Sequence, residues 1–106
     1  MSALLTTADL HHWIQDQIKE VEQKLGDDII HIRYSFGTNW NGYPAIYFRT
    51  LLPDAVADND DRLGDVGRRV RRELAERWNL LDWDRTPYFN FRSQSEQAEL
   101  KDPEWD

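Results

Sequence analysis

Cysteine is absent from this 106-residue chain. Disulfides, thiolate nucleophiles and cysteine-ligated metals are therefore excluded. No apolar run approaches the roughly 18 residues of a membrane span. Met1 to Ala8 has neither a basic start nor an apolar stretch of signal-peptide length, so the cytoplasm is the expected location. Positive charge is scarce: 13 Lys and Arg face 20 Asp and Glu, a net charge of −7. Taken whole, such a chain is repelled by nucleic acid and by anionic membranes. No H-E-x-x-H, P-loop or G-x-S-x-G pattern occurs. His11 and His12 are adjacent, a poor spacing for one metal on a helix. Read from Asp58, the acidic stretch puts Arg62 and Leu63 where a calcium loop needs an oxygen ligand and a glycine. No catalytic residue, metal site or cofactor is assigned, and the protein reads as more plausibly a non-enzyme.

Hydrophobic residues make up 40% and charged residues 31%, the balance of one globular domain. Five Trp in so short a chain supply either an aromatic core or anchors for a partner. Leu10, Ile14, Ile18, Val21 and Leu25 recur at helical spacing and predict a helix from Ala8 to Leu25, with Thr7 as its cap and Gly26 as its stop. Strict alternation predicts a strand over Ile29 to Phe36. Gly37 to Gly42 is a turn with Asn41-Gly42 as a hairpin signal, and Pro44 to Leu51 is the antiparallel return strand. Asp54 to Asp61 reads as an acidic loop. A second helix, starting between Asp58 and Asp61, carries Leu63, Val66, Val70, Leu74 and Trp78 inward and stops at Asn79. Leu80 to Thr86 reads as a connector that tucks Leu81 and Trp83 against the core. Tyr88 to Arg92 is a third strand, Ser93 or Ser95 can open a short helix to Leu100, and Asp102 to Asp106 reads as an extended end. The expected fold is an α+β two-layer sandwich of order α-β-β-α-β, with a three-stranded sheet and a short C-terminal helix. Residues 1–93 form the domain. Residues 94–106 form an acidic tail with five acids against one lysine, net −4, leaving −3 for the rest.

Alternation sends Ile30, Ile32, Tyr34, Phe36, Ile46, Phe48, Phe89 and Phe91 towards the helices. It leaves His31, Arg33, Tyr47, Arg49, Tyr88, Asn90 and Arg92 together on the opposite face. Arginine forks grip carboxylate or phosphate, and tyrosine rings give flat contact area. Polar, β-favouring residues on a solvated face are the plainer account. The residues chosen as a partner surface are Arg33, Tyr47, Arg49, Tyr88 and Arg92, aided by Trp40 at the hairpin and Trp105 in the tail. Trp105 has three readings: an anchor that orders on a partner, a frayed end, or a ring folded back on its own domain. The expected function is a non-catalytic protein–protein interaction module, of the kind an acidic inhibitor or antitoxin-type protein uses against a basic partner. A second copy of the chain is one partner that could cover the face.

Two further features point elsewhere. Arg68, Arg69, Arg71 and Arg72 fan over the second helix, either as a nucleic-acid contact or as a salt-bridged surface with Asp65–Arg69, Arg69–Glu73 and Arg72–Glu76 pairs. Gly64-Asp65-Val66-Gly67 near that helix start, within an α-β-β-α-β order, resembles a type II KH domain. The resemblance implies a nucleic-acid backbone held at Gly64 and Gly67. The chain departs from that pattern in Asp65, in the acidic surroundings and in lacking a clear helix before the glycines. A KH-like nucleic-acid binder using the open face or the arginine helix is the alternative function.

Overall fold

The computed structural model describes residues 7–79 and 85–106. Helix α1 spans Thr7–Leu25, strands β1 and β2 span His31–Thr38 and Pro44–Leu52, and a short helix α2 spans Asp54–Ala57. Helix α3 spans Asp60–Asn79, strand β3 Thr86–Ser93 and helix α4 Gln94–Leu100. The expected α-β-β-α-β order with a short terminal helix is the order found. The sheet runs β1-β2-β3, with β1 and β2 antiparallel and β2 and β3 parallel. A parallel neighbour needs a long crossover, and α2 with α3 provides it. The connector's Leu81 and Trp83 lie outside the described residues.

One layer is helical. The stripe Leu10, Ile14, Ile18, Val21 and Leu25 is buried along α1, and Val66, Val70, Leu74 and Trp78 along α3. Both stripes close on Ile32, Ile46, Phe48 and Leu52 of the sheet. Each such side chain contributes about 1.5–3 kcal/mol by leaving water. Gly26 takes φ +56° and ends α1 as expected, passing the chain into one 3-10 turn, Gly26–Asp28.

Several boundaries differ from expectation. The stretch read as an acidic loop holds α2, because Val56 gains a buried seat one turn after Pro53. Asn59 then caps α3, its side-chain oxygen accepting from the Arg62 N–H at 3.1 Å. Ile30, expected in the core, is 39% exposed. It precedes β1, and Ile29 and Ile32 are both buried at a spacing of three, so alternation slips where the chain leaves the 3-10 turn. The hairpin is wider than two residues: Asn39 N–H donates to Tyr43 carbonyl and Gly42 N–H to Asn39 carbonyl, each at 2.9 Å. Gly42 sits at φ +84°, as a three-residue loop demands.

Charge on the helices is arranged differently too. Glu73 is 7% exposed and pairs with Lys24 of α1 and with Arg77 (3.2 Å), not with Arg69. The hydrogen-bonded Lys24 ammonium, helped by Arg77, holds the Glu73 carboxyl below the usual range against the opposing effect of burial. Arg69 turns instead to Asp28 (2.9 Å), while its Asp65 pair is long at 3.8 Å. An Arg72–Glu76 pair does not occur among the described residues.

Candidate functional site: the sheet face away from the helices

The strand registers sort the outer face into cross-strand rows. His31, Leu51 and Arg92 form one row, Arg33, Arg49 and Asn90 the next, and Ser35, Tyr47 and Tyr88 a third beside the hairpin. The five strand residues chosen from the sequence do share this face.

The first row, and Arg49 in the second, are covered by the chain's own end, while Arg33 and Asn90 at the flanks of the second row stay exposed. Ser93 caps α4, its hydroxyl accepting from the Glu96 N–H at 3.1 Å. Asp54 ties that helix to the end of β2, accepting from the Ser95 N–H at 3.0 Å and from the Ser95 hydroxyl. These bonds hold the Asp54 carboxyl below its ordinary range, the side-chain bond most strongly. After α4, Lys101 takes the left-handed conformation, φ 53°, and reverses the chain. Pro103–Trp105 is a 3-10 turn packed on β2, not an extended end.

Trp105 is 6% exposed in this seat. The Arg92 guanidinium lies 4.3 Å from its ring centroid, and His31 Nε2 donates to its carbonyl at 2.6 Å. Arg33 Nε donates to the Asp106 main-chain oxygen at 2.9 Å, and Arg49 pairs with Glu104 at 3.1 Å. Gln97 binds three groups at once: its amide nitrogen donates to Asp102 carbonyl (2.7 Å) and Asp106 Oδ1 (2.9 Å), while its oxygen accepts from Arg92 (2.8 Å). Of the three readings of Trp105, the folded-back ring is the one found. His31 and Gln97 are the site residues that were not singled out; a lone buried glutamine in an acidic tail carries no periodic signal.

The third row is aromatic and half-buried. Tyr47 and Tyr88 stack at 5.4 Å between centroids. Tyr47 lies flat over Gly37, where a Cβ would meet its ring at 3.2 Å, and its hydroxyl donates to Thr38 carbonyl at 2.5 Å. Asn39 donates to the Tyr88 hydroxyl at 3.3 Å, tying the hairpin to β3. Arg85 fastens the same end, donating to Gly37 and Ala45 carbonyls at 3.0 and 2.6 Å. From this braced hairpin Trp40 projects 90% exposed and Tyr43 64% exposed. Arg49 bridges the two ends, with Ser35 at 2.6 Å and the Tyr47 ring at 5.7 Å.

Among the described residues, no three His, Asp or Glu side chains converge to hold a metal. No helix among them is long and apolar enough to cross a membrane. No protein-family model matches the chain, and no curated protein or solved structure matches it either.

Proposed function

We propose that the protein is a non-catalytic protein–protein interaction module that docks through the aromatic end of its outer sheet face. The observation that carries this is Trp40, almost wholly exposed on a hairpin whose base is braced by Tyr47, Tyr88, Asn39 and Arg85. Exposing a tryptophan to water is unfavourable, and large aromatics on rigid supports are the usual anchors of protein interfaces. Tyr43 and the stacked tyrosines extend the same surface. A net charge of −7 favours a basic partner, as for an acidic inhibitor or antitoxin-type protein, and cysteine-free composition suits the cytoplasm. The test is a tagged native pull-down from the source cells, with and without nuclease. A protein recovered in near-equal amount, indifferent to nuclease and lost with Trp40→Ala and Tyr43→Ala, supports the module. Partners that disappear with nuclease, or that ignore both substitutions, refute it.

A further inference from the structure

The two edges of the sheet are treated differently. At β1 the Ile32 N–H is taken by the Glu22 carboxylate of α1 at 2.8 Å, so an added strand there would have to displace it. No main-chain group of residues 86–91 is bonded on the side away from β2 among the described residues. None of the eight β3 residues is buried, against six of the nine in β2.

Beside this bare edge, α3 and β3 enclose an open groove of about 400 Å³, lined by Leu63, Gly64, Gly67, Arg68, Arg71 and Phe91. Its floor is open because the glycines put no side chains there: a Cβ on Gly64 would find only Arg68 Nη2, 4.0 Å away, and one on Gly67 the Phe91 ring at 3.7 Å. Its rim is cationic. Arg62, Arg69 and Arg77 of α3 are paired with carboxylates. Arg68, Arg71 and Arg72 have no carboxylate within salt-bridge distance among the described residues, although acids outnumber bases in the chain. Positions 68, 71 and 72 fall on one strip of the helix.

We infer that this groove receives an extended, acidic segment of another protein, which adds as a strand to the free edge of β3 and sets its carboxylates against Arg68 and Arg71. Strand addition supplies main-chain hydrogen bonds, and alternate side chains enter the groove over Gly64 and Gly67, beside the Phe91 ring that Arg71 covers. Arginine forks match carboxylates on the segment's other positions. A nucleic acid fits less well: Arg71 already lies over the Phe91 ring, 5.7 Å from its centroid, where a base would have to stack. The groove is separate from the aromatic end and stands or falls independently of it.

The test uses the full chain, ¹⁵N-labelled, titrated with a synthetic nine-residue peptide of alternating Glu and Val, and separately with a ten-nucleotide oligothymidylate. Saturable peptide-induced shifts at the amides of Thr86 and residues 88–91 (Pro87 carries no N–H) and at Gly64 and Gly67 are expected, and Arg68→Glu with Arg71→Glu should weaken binding about tenfold or more, or about 1.4 kcal/mol. Preserved amide dispersion confirms that the variant is folded; if it is not, Arg68→Gln with Arg71→Gln replaces it. Peptide shifts elsewhere, no saturable binding, an unaffected double variant, or oligothymidylate binding the groove more tightly than the peptide each overturn the inference.

Discussion

The two ends of one sheet face differ in what covers them. At the far end from the hairpin, Arg33, Arg49 and Arg92 meet the chain's own acidic tail, and Trp105 is buried on them. At the hairpin end Tyr47 and Tyr88 are half-buried and no tail residue among the described ones seats on Trp40, which is 90% exposed, though the backbone beneath is braced as firmly. The difference teaches that part of the tail's acidity is spent inside the molecule, where Asp102 and Glu104 pair with Arg92 and Arg49. Its carboxylates and carbonyls satisfy arginines that would otherwise form a basic patch. What the hairpin end presents outward is aromatic, in Trp40 and Tyr43.

The comparison is broken most directly at its tryptophans. Trp105→Ala should destabilise the protein by about 3 kcal/mol by emptying a buried seat, lowering the thermal midpoint by about 10 °C or more. Trp40→Ala should stay within about 0.5 kcal/mol of the parent, since that ring is 90% exposed. Equal effects in thermal melts would contradict the division. Gly37→Val comes next: its branched side chain strikes the Tyr47 ring and should cost about 1–3 kcal/mol, with loss of near-ultraviolet tyrosine signal.

Acid offers a graded test. Asp54 and Glu73 both have carboxyls held below their ordinary ranges in the folded state. Their contributions are therefore fully present above the unfolded carboxylate values and are lost as pH falls through the lowered folded values. Hydrogen exchange at residues 95–101 should accelerate as pH drops below the ordinary carboxylate range, after correction for intrinsic rates. Ser95→Ala removes the main cause of the Asp54 shift, so release of α4 should begin at higher pH. An unchanged midpoint would show that Asp54 does not tether the tail. The smallest effect is expected from Glu104→Gln, about 0.2–1 kcal/mol, because that carboxylate is largely exposed and pairs with Arg49 at the rim.

How legible this was in the sequence follows from the range of each interaction. The α1 and α3 stripes and the β2 alternation were readable because Leu10 to Leu25, Val66 to Trp78 and Ile46 to Phe48 repeat locally at the helix or strand period. Alternation also gathered the outer-face arginines and tyrosines correctly. It failed at Ile30, where a 3-10 turn shifts the phase, and at α2, whose four residues are too few to show a period. The tail's place was beyond pattern reading. Trp105 is held by His31, 74 positions earlier, and by an arginine and a glutamine brought together only by the sheet. Gly64 and Gly67 lie within the first turns of α3, where the sequence placed them, but their consequence, the open groove beside Phe91, depends on a strand residue more than twenty positions away.

The most direct test of the divided face is hydroxyl-radical footprinting of the intact protein, comparing oxidation of Trp40 and Trp105 by peptide mass spectrometry. A seated tail predicts that Trp40 is oxidised at least about tenfold faster than Trp105, in line with its 90% exposure against 6%. Comparable rates for the two rings would mean that the tail is not seated on the face, and the account of a half-covered, half-open docking surface would be contradicted.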